Sequence, residues 1–360
     1  MAIRLIDAGI VSSIRSQTLY HGLGYTFSSE TPNTIVFAVP KDPYMCIGFF
    51  QDAAQELDIV YCKKNGLPII RRETGGGAVY IDQNQLFVQW IFKPGDLPPK
   101  VDDRFKRFVQ PIIDTYKHYG IDAYYYPIND VHVDGKKIVG TGAGGIGDAE
   151  IVTGNFLFDF NYEAMTKALK VPGKKFQKDF ENGVRKYVTT IRQEIHENIN
   201  IDNLKHIYVS KCEKLLEERI VKGKLEVEEL AEMEELDKKM LTDKWLYQIT
   251  KPTSSNRLVK IHAGVWIGEI NHRSEDGEVK IEVKLMEGKI DELELKTSFR
   301  KNIDVDLKRL CSSMKGVELE DIKKGVEDFF EAANYKETGL PHREWIEAFL
   351  KIKELRRSIS

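Results

Sequence analysis

Arg71-Arg72-Glu73-Thr74-Gly75-Gly76-Gly77-Ala78-Val79-Tyr80 places two cations directly ahead of three residues without side chains, inside an otherwise extended run. The run starts at Pro68, breaks at the glycines and resumes over Ala78 to Ile81. After the polar Asp82-Gln83-Asn84 turn it continues as Leu86 to Phe92. The glycines therefore interrupt a sheet rather than open a helix. That excludes the dinucleotide GxGxxG pattern, and no GK[ST] follows to make a Walker A loop. Taken alone, the stretch fits a solvated arginine pair before a bulge as well as a backbone cradle, because glycine lets N–H groups turn toward a ligand.

On the N-terminal side, Ser12 to Leu23 reads as a helix and Asn33 to Val39 as a short β-branched strand. Asp52 to Asn65 reads as a second helix with Ala53, Leu57, Val60 and Tyr61 on one face and Gly66 as its stop. On the C-terminal side, Phe105, Phe108, Val109, Ile112, Ile113 and Tyr116 recur at helical spacing. Ala123 to Tyr126, Val131 to Val133 and Lys137 to Val139 follow as short strands, the last two joined by a hairpin at Asp134-Gly135. Glycines 140, 142, 144, 145 and 147 suggest a flexible tract before the alternating stretch Ile151 to Phe160. The mixture predicts an α+β fold, a mixed and largely antiparallel sheet flanked by helices. Asp202 to Tyr247 is helical and highly charged, and its run Glu226 to Lys239 reads as a solvated face.

Pro252-Thr253-Ser254-Ser255-Asn256 is rich in turn formers and marks a boundary. Beyond it, Val279 to Met286 and Lys289 to Lys296 form a hairpin through Glu287-Gly288, followed by helices over Val305 to Met314 and Leu319 to Ala332. This predicts a larger domain over residues 1–250 and a smaller α+β C-terminal domain over 256–360.

The 360 residues carry 53 Lys or Arg against 56 Asp or Glu, a formal net charge of −3, so no nucleic-acid partner is expected. No apolar run approaches membrane-spanning length, and the opening MAIRLIDAGI lacks a secretory pattern, so no membrane association is expected. Four cysteines without CxxC spacing suit a reducing compartment, and a cytoplasmic location is expected.

A second glycine tract follows Asn129-Asp130: Asp134-Gly135-Lys136-Lys137-Ile138-Val139-Gly140-Thr141-Gly142-Ala143-Gly144-Gly145. Lys136 and Lys137 are adjacent on a strand, so they point to opposite faces and only one can face a cleft. A point charge on a long stem suits a phosphate.

Together the two tracts resemble the lipoate–protein ligases. Arg71 to Tyr80 with Asp82 is similar to that family's RRxSGGGAVxHD signature, and Asn129-Asp130 with Gly135-Lys136-Lys137-Ile138-Val139-Gly140 to its ND…GxKxxG element. Weaker similarity lies in Ile47-Gly48 with Gln51 and Glu56, and in Gly183-Val184-Arg185 to Ile191. Residues from about 255 to 350 are similar to the accessory domain of bacterial-type ligases.

The resemblance implies a reaction in two steps. Lipoate and ATP, with Mg²⁺, would give lipoyl-adenylate, and a lysine of a lipoyl carrier domain, on a dehydrogenase subunit or a glycine-cleavage carrier, would then take the acyl group. By the same resemblance Lys137 is the catalytic cation. Arg71, Arg72, Gly75, Gly76, Gly77 and Ala78, with Gly140, Thr141, Gly142 and Ala143, would bind lipoate and adenylate. Asn129 and Asp130 would lie near the nucleotide, Asp130 as a Mg²⁺ ligand. Ile81 stands where the family has His, and Thr141-Gly142-Ala143 replaces its Ser-Ala-x, which leaves octanoate open as a substrate. Two alternatives stand beside the ligase. One is an octanoyl- or lipoyl-transferase that works without ATP through a cysteine. The other is a carrier-binding protein without catalysis.

Overall fold

The computed structural model of the chain describes residues 2–171, 174–195, 198–250, 256–262, 264–275, 277–298, 304–332 and 342–358. They fall into two compact units, Met1–Lys251 and Pro252–Ser360. Of the expected linker, only Asn256 is among the described residues.

The first unit is built on a six-stranded sheet. Its order is Thr141–Ile146, Ala149–Leu157, Gln85–Phe92, Thr34–Pro40, Ile3–Val11 and Ile220–Lys222. The first three pairings are antiparallel and the last two parallel, so the sheet is mixed, with antiparallel pairing in the majority. Its middle strand Thr34–Pro40 is buried throughout, and alternation sorts its side chains. Ile35 and Phe37 join one core with Trp90, Phe108, Ile112 and Tyr208, supplied in part by the helices Val101–His118 and Ile201–Leu216. Val36 and Ala38 face the opposite core with Leu19, Leu23, Ile91 and Met233, from the helices Ser13–Tyr25 and Val227–Met240. The sheet is thus covered on both faces, and its edges and loops are left to carry the site.

Several expectations change. The single helix over Asp52 to Asn65 is two, Ala53–Glu56 and Ile59–Lys64. Leu57 between them pairs with Leu169, and the Asp58 side chain caps the second helix by accepting from the Tyr61 N–H at 2.8 Å. Val60, expected on the buried face, is 78% exposed. The charged helix Val227–Met240 is not purely a solvated face, since Met233, Leu236 and Met240 are buried and Glu229 pairs with Arg4 at 2.5 Å. The strands Ile3–Val11 and Ile220–Lys222 had no counterpart in the sequence reading.

In the second unit Arg257–His262, Val265–Ser274, Gly277–Met286 and Lys289–Thr297 form one antiparallel sheet in that order. Ile270, Ile281 and Leu285 of the sheet pack with Leu310, Ile322, Trp345 and Phe349 from helices Asp304–Met314, Ile322–Ala332 and His342–Ser358. The Glu287-Gly288 turn closes as expected, both residues at positive φ. The chain is therefore α+β, with a smaller α+β unit at its C-terminal end. No described helix is long and apolar enough to cross a membrane.

Candidate active site

The first glycine tract hangs from a small sheet. Tyr44–Ile47 is its central strand, parallel to Ile69–Arg71 on one side and antiparallel to Val79–Ile81 on the other. The chain leaves at Arg71, loops out and returns across the same central strand. Arg71 is fully buried under this loop. Its Nη1 donates to the carbonyls of Phe49 and Gln51, both at 2.6 Å, and its Nη2 and Nε to that of Leu246 at 2.6 and 3.1 Å. Arg72 curls back into the loop, donating to Gly75 O at 2.8 Å and Gly77 O at 2.9 Å.

The two arginines therefore shape the loop, whereas the sequence reading assigned them to the ligand. For Arg71 this is a correction: a guanidinium with its donors on four backbone carbonyls and no exposure has no face left for a substrate. Gly76 has φ +98°, and a Cβ on Gly48 would lie 2.1 Å from the Gly76 carbonyl oxygen. The loop thus closes directly onto the backbone at Gly48. Gly76 and Gly77 are exposed at its tip, and Gly75 and Ala78 are half-buried on its flanks.

The loop's second side is pinned by residues that the sequence reading did not single out. The Glu73 N–H donates to His21 Nε2 at 3.1 Å, while His21 Nδ1 lies 2.7 Å from the Gln17 carbonyl. That pair of partners requires Nδ1–H and a bare Nε2, the neutral tautomer. Burial lowers the His21 pKa to about 4, against the opposing pull of the Gln17 carbonyl. Thr74 is buried and its carbonyl accepts from the Phe49 N–H at 3.1 Å.

Lys137 comes from a three-stranded meander, Tyr124–Tyr126, Asp130–Val133 and Lys136–Val139. Asp134 and Gly135 turn the hairpin at φ 47° and 76°. Lys136 is exposed, and Lys137 points to the other face with its side chain 25% exposed. Its Nζ lies 2.7 Å from Asp130 Oδ1, and Asp130 is fully buried. His132 stacks on Tyr126 and stands 3.9 Å from the other Asp130 oxygen. The Lys137 carbonyl accepts from the Thr189 N–H at 2.9 Å, which fixes the strand from its free side. The result is an ammonium held by a buried carboxylate and still open to solvent.

Glycines 140 to 145 correct a further expectation. Thr141–Ile146 is no flexible loop but an edge strand, paired with Ala149–Leu157 from Thr141↔Gly154 to Ile146↔Ala149. The first tract lies in van der Waals contact with this strand. A Cβ on Gly142 would meet Thr74 Oγ1 at 3.8 Å, and one on Gly144 would meet Thr74 Cγ2 at 3.5 Å. The two glycine tracts thus converge on Thr74. Thr141 Oγ1 also donates to the Asn129 carbonyl, joining the Asn129-Asp130 element to this strand. The Gly140 N–H donates to Asn155 Oδ1 at 3.0 Å, and Asn155 in turn donates to Gln85 at 2.9 Å. Ala143 is half-buried in the same strand.

The donor set around Asp130 does not fit Mg²⁺. The carboxylate is already engaged by an ammonium, and no group of three potential ligands gathers there among the described residues. A second cation on that oxygen would sit against the Lys137 charge.

A family model described as the lipoyl protein ligase A/B catalytic domain matches residues 20–213, a stretch that holds both glycine tracts and Lys137. The chain belongs to that family. It is 34% identical over 195 residues to the lipoate–protein ligase of Streptococcus pyogenes, a match covering 53% of this chain and 56% of that enzyme. It is 23% identical over 271 residues to the octanoyltransferase LipM of Geobacillus kaustophilus, covering 68% of this chain and 98% of that one. The bi-partite lipoate protein ligase of Thermoplasma acidophilum superposes with a TM-score of 0.64 at 24% identity, over 71% of this chain and all of that chain. The match therefore spans only about half the length of the streptococcal ligase. Residues Val227–Leu246 and the whole second unit fall outside the family match.

Proposed function

We propose that the protein attaches lipoate to a lysine of a lipoyl carrier domain through lipoyl-adenylate, with ATP supplied as its magnesium complex. The observation that carries the reading is the partly exposed Lys137 ammonium, held on buried Asp130 on the strand that leads into the glycine tract meeting the first one at Thr74. Bringing a carboxylate against an α-phosphate costs about 4 kcal/mol at 4 Å and an effective dielectric of 20. A fixed cation placed between the two oxygens offsets that repulsion as they approach, and Lys137 is that cation. Asp130 holds it in place. Backbone N–H groups of the exposed Gly76 and Gly77 meet the adenylate, and the Thr141–Ile146 strand lines the bound ligand. In the second step the neutral carrier amine attacks the mixed anhydride carbonyl, the C–N bond forms as the acyl C–O bond to phosphate breaks, AMP leaves with that electron pair beside the same cation, and the nitrogen gives up its extra proton to solvent.

A transferase without ATP is the second reading, favoured by the likeness to LipM. Such an enzyme needs a nucleophilic thiolate. All four cysteines are held in the thiol form by burial: the Cys46 and Cys311 pKa values are raised, that of Cys62 goes to about 11, and that of Cys212 is raised further. Cys46 comes nearest to the glycine loop, its Sγ 3.6 Å from Arg72 Nη1, and it is still fully buried. This supports the ligase over the transferase. Location in the cytoplasm and the accessory role of the second unit belong to the same proposal.

The test is pyrophosphate release with lipoate and MgATP. Wild-type protein is expected to release it in a lipoate-dependent manner. Lys137→Ala should reduce the rate about a thousandfold, as loss of a preorganised electrostatic contact does, with the circular dichroism spectrum unchanged. Undiminished release in the variant refutes the role of Lys137. Acyl transfer from an octanoyl carrier without ATP selects the second reading.

A further inference from the structure

The glycine loop has a support that its own motif does not contain. Two residues from the end of the first unit reach its base: Trp245 Nε1 donates to the Arg71 carbonyl at 3.0 Å, and the Leu246 carbonyl accepts from the Arg71 guanidinium at 2.6 and 3.1 Å. Arg71 is thus gripped at both its backbone and its side chain by one short helix, Asp243–Leu246, more than 170 positions later in the chain. Lys239 of the preceding helix Val227–Met240, and the Trp245 ring itself, approach the loop at two further points. Lys239 Nζ lies 4.4 Å over the Trp245 ring and 3.8 Å from Glu73, whose other carboxylate oxygen accepts from Tyr25 at 2.6 Å. Phe49, whose N–H holds the Thr74 carbonyl, has its ring 6.3 Å from that of Trp245.

We infer that Asp243–Leu246 is a strap that sets the position of the glycine loop, and that Trp245 is a positioning residue for the ligand bound along it. The strap lies beyond residues 20–213, the stretch that the family model matches. Its mechanical logic follows from the contacts. Arg71 presents its side chain to Phe49, Gln51 and Leu246 and its carbonyl to Trp245, so a shift of the strap moves the first residue of the loop. Arg72 then transmits that shift through its bonds to Gly75 and Gly77. The reading of the ligand as lipoate and its adenylate rests on the proposed function. The positioning of the loop does not.

Trp245→Phe removes the indole N–H and keeps a ring against Phe49 and Lys239. Hydrogen exchange of the intact protein should show the amides of Phe49, Arg72 and Glu73 exchanging about fivefold faster, the equivalent of one hydrogen bond. The amides of Gln85–Phe92, in the large sheet, should keep their wild-type rates. In lipoate-dependent pyrophosphate release, KM for lipoate should rise about five- to tenfold while kcat changes less than twofold. The exchange experiment stands even if no pyrophosphate appears, which would refute the ligase reading alone. Equal exchange at Phe49, Arg72 and Glu73 in both proteins, or a uniform rise that includes the large sheet, overturns the strap.

Discussion

At the scale of single residues, the site is held mainly by groups whose partners are fixed by burial. His21 is the clearest case. Neutral, it donates to Gln17 and accepts from the Glu73 amide, and protonation would place a second donor against that amide. Its folded pKa of about 4 lies below the ordinary 6.5, so the unfolded chain binds the extra proton between those values. Stability from this residue is therefore complete above pH 6.5 and is lost as the pH falls toward 4, by about 3 kcal/mol in all. Urea titrations across pH 7 to 4 should show that loss in the wild type and a flatter profile in His21→Gln. Arg71 gives a second prediction. Arg71→Met leaves its buried carbonyl acceptors without a donor and should cost about 3–5 kcal/mol of stability, measured by chemical denaturation. Loss of ligand affinity with unchanged stability would instead return Arg71 to the ligand. The motif fixed attention on both arginines, but no sequence signal tells an arginine that binds a substrate from one that binds its own loop. That distinction depends on Leu246 and Phe49, brought together only by the fold.

At the scale of elements, local patterns were legible where one segment decides its own structure. Ser12 caps the helix Ser13–Tyr25 by accepting from the Arg15 N–H, the Asp134-Gly135 hairpin turns as expected, and the helix Val101–His118 buries the predicted Phe105, Phe108, Ile112 and Tyr116. The reading failed where a distant partner decides. A tract of alternating glycines carries the composition of a loop, yet Thr141–Ile146 is a strand because Ala149–Leu157 supplies its hydrogen bonds. The helix predicted over Asp52 to Asn65 breaks because Leu57 finds Leu169. Gly48 tests the close approach of two elements. Gly48→Ala drives a methyl into the Gly76 carbonyl and should lower stability by about 1–3 kcal/mol while displacing the loop. The expected readout is a large rise in KM for lipoate together with a lowered melting temperature, and a wild-type KM would show that the loop tolerates the methyl.

At the scale of the whole molecule, the sequence reading recognised an α+β chain with a smaller second α+β region. What it could not see was the order of the large sheet, since parallel pairing of Ile3–Val11 with both Thr34–Pro40 and Ile220–Lys222 joins segments far apart in the chain. The two units have separate cores, so a chain ending at residue 250 should fold cooperatively by itself. If the second unit assists adenylation, that truncated chain should lose lipoate-dependent pyrophosphate release and retain acyl transfer from pre-formed lipoyl-adenylate. Equal loss of both steps in a folded truncation would reject the accessory role. The central claim nevertheless concerns one ammonium, and a crystal structure of the protein with a non-hydrolysable lipoyl-adenylate analogue addresses it most directly. The account predicts Lys137 Nζ within about 3.2 Å of both the acyl oxygen and an oxygen of the phosphate mimic. An analogue bound along Gly75–Gly77 with Lys137 still directed only at Asp130, or turned to bulk water, would contradict it.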